Sequence, residues 1–139
     1  MRVIVCGGRN FQDREFCFEK LDEIIGQLDN VEIVSGHAKG ADTFGEEYAL
    51  KNSLKVSVFK PDWKKYGRGA GPVRNKEMYK YALEDEPMVI AFWDGESKGT
   101  KSMIDIASKR WCKSSCGRDL KLFCILYCAN ISENKFYKE

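Results

Sequence analysis

The sequence lacks any long hydrophobic run. Its apolar stretches are far shorter than the roughly 20 consecutive residues that a membrane-spanning helix needs. The N-terminal residues MRVIVCGG are also too short in their apolar part for a secretory signal, and they run directly into a turn. We therefore expect no membrane association and a cytoplasmic protein.

Net charge and histidine are scarce as well. Lysine and arginine number 23 against 21 aspartate and glutamate, a formal net charge of +2, so no overall field attracts a polyanion. The single histidine, His37, has no Ser, Cys or carboxylate in a sequence pattern that would activate it, and we interpret it as a loop residue. The length predicts one domain over residues 1–139, in which the polar residues 130–139 form a frayed tail.

The cysteines do not form a disulfide framework or a clear metal site. Cys6 and Cys17 fall in apolar or helical patterns, where free cysteine behaves as a small buried hydrophobe. Four others superficially resemble zinc ligands, but the last two are four residues apart on a predicted strand, about 13 Å, which is too far for one tetrahedral ion. A structural zinc therefore requires that this segment is not a strand, and we expect no metal site at Cys112, Cys116, Cys124 and Cys128.

Short β-branched runs alternate along the chain with segments of helical periodicity. The pattern predicts strands at residues 2–6, 31–34, 54–59, 88–93 and 120–128, and helices at residues 13–28, 43–52, 72–83 and 100–111. Thr43 and Glu46 have the spacing of a capping box at the start of the second helix. The alternation predicts an α/β, Rossmann-like, doubly wound fold with a mainly parallel five-stranded sheet and helices on both faces.

In such a sheet, ligands bind outside the carboxyl ends of the strands. The loops predicted at those ends are rich in glycine or small polar residues, and each carries at least one base. This shared position predicts a site for a phosphorylated or nucleotide-like ligand. The bases are Arg9, Lys39, Arg68 with Arg74, and Lys98.

The most informative stretch is PDWKKYGRGAGPVRNKEM, residues 61–78. Its glycines lead to Pro72, where a helix is predicted to begin with Arg74 in its first turn. A helix N-terminus already carries partial positive charge, so we interpret Arg74 as binding an anion, the alternative being an intramolecular carboxylate. Trp63 and Tyr66 either stack on a base or cover the core.

Two glycine-bearing loops can contact phosphate through the backbone. The turn at Gly7 and Gly8 can offer N–H groups, with Arg9 adding a bidentate charge. The segment DGESKGTK fails the P-loop pattern. Gly99 and Thr100 at the following helix N-terminus either cradle a phosphate or form an ordinary N-cap.

Two carboxylates are candidate catalytic groups with simple structural alternatives. Asp42 either holds a ribose hydroxyl or stabilises the positive end of the second helix. Asp62 either acts as a base or forms an Asx-type turn.

Four blocks of the chain resemble the YspA-like branch of the SLOG superfamily, which groups the DNA-processing protein DprA with the LOG nucleotide hydrolases. The blocks are IVCGGRNFQD, VSGHAKGAD, PDWKKYGRGAGPVRNKEM and AFWDGESKGTKSMIDIA, which begin at residues 4, 34, 61 and 91. The resemblance implies a Rossmann-like fold with a nucleotide-derivative site at the loops named above. It also implies a homo-oligomer, because SLOG proteins often assemble.

The LOG enzymes use an Arg after the third strand and a Glu after a Gly-Thr motif as catalytic residues. Arg74 matches that Arg, but Ser102 and Met103 stand at the positions that are acidic in the LOG enzymes. The first hypothesis is therefore binding of an ADP-ribose-type ligand. The second is LOG-like hydrolysis in which another acid substitutes, such as Asp42, Asp62, Asp94 or Glu96. The third is DprA-like binding of single-stranded nucleic acid, because residues 35–40 resemble a DprA block.

The predicted site draws on all of these loops. No cofactor is required, although a Mg²⁺ ion can accompany a phosphorylated ligand. The candidate catalytic residues are Arg74, Asp42 and Asp62, and the candidate ligand-binding residues are Gly7, Gly8, Arg9, Asn10, Ser35, Gly36, Lys39, Gly40, Trp63, Tyr66, Arg68, Asn75, Gly95, Gly99 and Thr100.

Overall fold

The structure, a computed structural model, describes residues 1–113 and 123–128, with side chains for residues 1–108. The predicted tail at residues 130–139 lies outside the described residues. So do the side chains that bear on the zinc question, those of Cys112, Cys116, Cys124 and Cys128.

Four strands form an all-parallel sheet in the order β3-β2-β1-β4. Strand β5, Phe123–Cys128, pairs with β4 in parallel at the other edge. The Rossmann-like α/β architecture predicted from the sequence is confirmed for the four-stranded sheet. The four strands are β1 (Arg2–Gly7), β2 (Glu32–Ser35), β3 (Lys55–Val58) and β4 (Pro87–Trp93).

Helices cover both faces of the sheet because the inner strands are apolar on both sides. On β1, Val3 and Val5 join one buried cluster with helices α1 and α2, whereas Ile4 and Cys6 join a second cluster with α4 and α5. The helices are α1 (Arg14–Ile25), α2 (Ala41–Lys51), α3 (Trp63–Tyr66), α4 (Ala70–Ala82) and α5 (Lys98–Lys113). Among these helices, none is long and apolar enough to span a bilayer.

The strand order places a topological switch between β1 and β4. The chain moves outward from β1 to β2 and β3, then returns to the other side of β1 as β4. The loops after β1 and β4 therefore leave the sheet toward opposite faces, which opens a crevice between them.

Two local predictions around the helices were wrong. The predicted capping box is not formed: α2 begins at Ala41, Thr43 Oγ1 donates to the carbonyl of Ala38 at 2.8 Å, and the Glu46 carboxylate bonds to residues outside the helix. The loop predicted before the third long helix is largely helical, since α3 and a 3₁₀ turn at Gly67–Gly69 lead into α4 at Ala70.

The amino end of the sheet is held by a buried carboxylate. Glu32 on β2 accepts hydrogen bonds from Ser57 Oγ at 2.5 Å and from Tyr81 Oη at 2.6 Å, and pairs with Arg2 at 3.2 Å. Burial acts to raise the pKa of Glu32, but the hydrogen bonds and the neighbouring positive charges lower it overall. This network lies at the end of the strands opposite to the switch crevice.

Candidate functional site

A cleft of about 650 Å³ opens at the carboxyl ends of β1 and β4. This is the position that the switch in strand order predicts. The volume falls within the range of small-molecule sites. Ten of the predicted residues line it: Gly7, Arg9, Asn10, Asp42, Trp63, Arg68, Arg74, Asn75, Gly99 and Thr100.

The other predicted site residues do not belong to the lining of this cleft. Several of them instead fix the backbone of the loops that carry lining residues, as described below. They are Gly8, Ser35, Gly36, Lys39, Gly40, Tyr66, Gly95 and Asp62.

The positive side chains that line the cleft form no direct ion pair with a described carboxylate. Among the side chains that the structure describes, no ion pair involves Arg9, Arg68, Arg74 or Lys98. Burial lowers the pKa of Arg74, and the nearby Arg9 guanidinium lowers it further, while Asp42 opposes both effects. The cleft therefore brings like charges together, an arrangement that a bound anion would stabilise.

Arg74 and Asp42 are organised by the same residue, Gly36. Arg74 Nη1 donates to the Gly36 carbonyl at 2.6 Å, and the Gly36 N–H donates to Asp42 Oδ2 at 3.2 Å. Burial raises the pKa of Asp42 to about 6, although the Arg74 charge and the N–H groups of Ala38 and Gly36 lower it in part. The cleft thus holds a carboxyl group that can change protonation near neutral pH beside a guanidinium.

The N-termini of two helices reach the same cleft. Gly71 and Pro72 from the first turn of α4, and Gly99 and Thr100 from the first turn of α5, are part of the lining. The first N–H groups of a helix have no intrahelical acceptor and carry partial positive charge, so both ends favour an anion.

Asn75 joins these two helices. Its side chain is buried, and its Nδ2 donates to the Gly99 carbonyl at 3.1 Å while its Oδ1 accepts from Arg74 Nε at 3.2 Å. One amide therefore fixes both the orientation of the arginine and the position of the α5 N-terminus. The Thr100 hydroxyl is buried against Ser97 Oγ at 3.1 Å.

The loop between β4 and α5 contributes two carboxylates that the sequence analysis considered only as substitutes for the missing catalytic Glu, not as ligand-binding residues. Asp94 and Glu96 both line the cleft. Asp94 Oδ1 accepts the N–H groups of Glu96 at 2.8 Å and Ser97 at 2.7 Å, and these bonds lower the pKa of Asp94. The sequence feature that could have indicated this loop is the Asp94-Gly95 pair, which is typical of a turn and precedes Gly99 and Thr100.

The floor of the cleft is apolar and was also missed. Cys6 at the end of β1, Met78 on α4 and Met103 on α5 are buried and line it. Their sequence pattern is that of ordinary core residues, so only the packing of three separate elements reveals that they border a cavity. Among the described side chains, no group of three or more His, Cys, Asp or Glu is placed to hold a metal ion.

His37 lies in the loop between β2 and α2, as interpreted from the sequence, and it has a carboxylate partner that no sequence pattern indicated. Glu46 Oε1 lies 2.9 Å from His37 Nδ1 and also accepts from Ser35 Oγ at 2.7 Å. His37 has a left-handed backbone with φ of 58°, and its N–H donates to Ser35 Oγ at 3.1 Å. Ser35 is fully buried, so this network holds the β2–α2 loop that carries Asp42.

Gly40 serves the packing of two loops rather than the lining of the cleft. Its φ of 88° lies in the region that favours glycine, and a Cβ there would lie 2.4 Å from the Gly8 carbonyl oxygen. The close approach brings the β2–α2 loop against the β1–α1 loop, which presents Arg9 and Asn10. Lys39 is exposed beside it.

The segment 62–69, which we call the flap, consists of α3 and the 3₁₀ turn together with Asp62. Trp63 and Arg68 of the flap line the cleft. The Tyr66 ring instead lies 5.0 Å from Lys65 Nζ. Asp62 caps α3 by accepting the Lys65 N–H at 3.1 Å, the turn-type role considered in the sequence.

Comparison with known proteins identifies the family. The model of the YspA, cpYpsA-related SLOG family matches residues 1–66, so Arg74 and the Gly99-Thr100 pair lie beyond the matched segment. The chain is similar to the "Gene 61 protein" of Mycobacterium phage D29, with 30% identity over 114 residues that cover 78% of this chain and 89% of that protein. No solved structure matches the chain. The chain therefore belongs to the YspA, cpYpsA-related SLOG family.

Proposed function

We propose that the cleft binds a small, phosphate-bearing nucleotide derivative of the ADP-ribose type. The observation that carries the proposal is the set of arginines in the lining. Arg9, Arg68 and Arg74 border one cavity and form no ion pair with any described carboxylate. Desolvated or crowded guanidinium groups favour an anion that bridges them, and phosphate accepts their bidentate hydrogen bonds.

The backbone supports the same ligand class. The N-termini of α4 and α5 border the cleft beside these arginines, and helix N-termini bind phosphate through their free N–H groups. Family membership supports a nucleotide-related ligand in general terms. A Mg²⁺ ion would accompany the phosphates, with Asp94 and Glu96 as the cleft carboxylates available to it.

The test is a thermal-shift and calorimetric panel of ADP-ribose, NAD, nucleoside mono- and diphosphates and cyclic nucleotides, with and without Mg²⁺. A ligand at 100 times its Kd should stabilise the fold by about 2.7 kcal/mol, a shift of a few degrees at this size. Arg9→Ala and Arg68→Ala should weaken binding at least tenfold.

The matched control is Arg14→Ala. Arg14 is exposed on α1 and pairs with Glu47 at 2.6 Å outside the cleft, so its loss should leave ligand binding unchanged. Equal affinity of wild type, Arg9→Ala and Arg68→Ala for every ligand that binds would overturn the assignment of the cleft.

A second function, hydrolysis of the N-glycosidic bond of a nucleotide, is favoured by the buried Asp42 carboxyl. Its pKa of about 6 suits proton transfer near neutral pH, and it lies in the cleft with Arg74. In this reaction the bond from C1′ to the base nitrogen breaks, water adds its oxygen to C1′, and a proton goes to the leaving base. Release of free base that disappears in Asp42→Asn would establish turnover, whereas an unchanged rate in Asp42→Asn would exclude this role.

The exposed aromatic and basic surface of the flap favours single-stranded nucleic acid as an alternative ligand. Lys64, Lys65 and Arg68 are exposed beside Trp63 and Tyr66, a combination that can contact phosphates and stack on bases. A short oligonucleotide in the same panel tests this alternative. Affinity that falls steeply with salt, with no shift for any small nucleotide, would favour it over the proposed function.

A further inference from the structure

Trp63 combines exposure with a place in the cleft. The residue belongs to the lining, and it is 51% exposed. Tryptophan is usually buried over most of its surface. Tyr66, the other strongly exposed aromatic residue of the flap, is outside the lining and lies against Lys65. Packing within the protein therefore accounts for the position of Tyr66 better than for that of Trp63.

The flap holds Trp63 apart from the sheet. Every residue from 62 to 69 is exposed, and α3 packs mainly against the 3₁₀ turn and α4. Glycines at 67, 69 and 71 flank the cleft-lining Arg68, and a Cβ at each of them would meet nothing within 4 Å. Trp63 is thus placed on a surface element beside the cavity, and its 51% exposure leaves part of the residue open to a planar group.

The anion-binding groups come from other elements. Arg74 and the first turns of α4 and α5 supply positive charge, whereas Trp63 supplies a large aromatic face from α3. A ligand that satisfies both has a phosphate and a planar aromatic moiety in one small molecule, as a nucleotide does. Base–indole stacking is tolerant of base identity because every base has a π-face.

We infer that Trp63 stacks on the base of the bound nucleotide and that this contact distinguishes base-bearing ligands from sugar phosphates. The inference rests on the proposed function, since it assigns a role within the same cleft. It predicts that removal of the indole lowers affinity only for ligands that carry a base.

The experiment measures the Kd of adenosine 5′-monophosphate and of ribose 5-phosphate, which carries a hydroxyl at C1 in place of the base. Trp63→Ala should weaken binding of the nucleotide roughly 5- to 150-fold, the loss expected for one base stacked on an aromatic side chain. Its Kd for ribose 5-phosphate should stay within about twofold of wild type. Trp63→Phe should retain part of the nucleotide affinity, because a smaller aromatic face remains.

Tyr66→Ala is the matched control and should change neither Kd, because the ring is exposed but outside the lining. An unchanged melting temperature in Trp63→Ala confirms that the exposed indole is not needed for folding. If wild type binds both probes and Trp63→Ala weakens both equally or neither, the stacking inference is overturned while the proposed function stands. If wild type binds neither probe nor any nucleotide of the panel, both are overturned.

Discussion

Asp42 and Arg74 are held on opposite polar atoms of one residue, Gly36. The carboxylate accepts the Gly36 N–H and the guanidinium donates to the Gly36 carbonyl, at 3.2 Å and 2.6 Å. The backbone of Gly36, directly after β2, therefore sets the relative position of the carboxyl group and the guanidinium that share the cleft. Their spacing does not depend on a direct bond between them.

Gly36→Ala should disrupt this arrangement. A Cβ at Gly36 would lie 2.9 Å from both Arg74 Cζ and Asp42 Oδ2, closer than real Cβ contacts, so both side chains must move. We expect a loss of ligand binding of at least tenfold and a free energy of unfolding lowered by about 1–3 kcal/mol. Gly99→Ala is the control for stability, because nothing lies within 4 Å of its Cβ. Equal unfolding midpoints for the two variants in urea would contradict the crowding at Gly36.

The raised pKa of Asp42 predicts a pH-dependent stability. Its pKa is about 6 in the folded protein against 3.8 as the ordinary value, so between these values the folded state binds the proton more tightly than the unfolded state. The stability contributed by this group is complete below pH 3.8 and is lost as the pH rises through about 6. Asp42→Asn should remove that dependence. At pH 7 its free energy of unfolding should exceed that of wild type by on the order of 2–4 kcal/mol, and it should unfold at a higher denaturant concentration.

The measurement is urea unfolding of both proteins from pH 4 to 8. The difference in unfolding free energy between Asp42→Asn and wild type should grow in the variant's favour up to about pH 6 and then level off. A difference that is constant across this range would show that Asp42 titrates normally.

The buried network around Glu32 predicts the opposite pH dependence. The pKa of Glu32 is lowered below 4.5, so its contribution is present above that pH and is lost as the pH falls through the lowered value. Glu32→Gln should cost about 1–3 kcal/mol at pH 7, because hydrogen bonds to a charged group are replaced by weaker ones, and it should reduce the acid sensitivity of wild type. Glu84→Gln, which alters an exposed partner of Arg2, should have a much smaller effect in the same unfolding experiment.

The glycines beside Arg68 predict a trade between stability and binding. Gly69, at the end of the flap, has a φ of −79° and a ψ of −5°, and apart from its chain neighbours nothing lies within 4 Å of its Cβ position. Gly69→Ala should therefore raise the free energy of unfolding by about 0.4–1 kcal/mol, since alanine restricts the unfolded chain. If the backbone here approaches the ligand or moves on binding, nucleotide affinity should fall in the same variant. Stabilisation without any change in affinity would assign this glycine a purely local role.

Much of the fold follows from the pattern of residues along the chain. Fully apolar runs such as residues 88–93 predict strands buried on both faces, and their alternation with helical segments predicts the parallel sheet that is found. The edge position of β3, with Val56 and Val58 exposed, was not predictable, because a short β-branched run has the same sequence pattern in an edge strand and in an interior strand.

The sequence by itself determined the class of the fold, the end of the sheet at which the cleft opens and the basic character of the loops there. Those properties depend on local periodicity and on the direction of the strands, which neighbouring residues specify. Only the tertiary structure decided that Glu46 binds His37, that Asp42 and Arg74 meet at Gly36, and that Trp63 faces the cleft whereas Tyr66 does not. These relationships join residues of different elements, and their geometry depends on how the helices pack on the sheet, which no local pattern encodes.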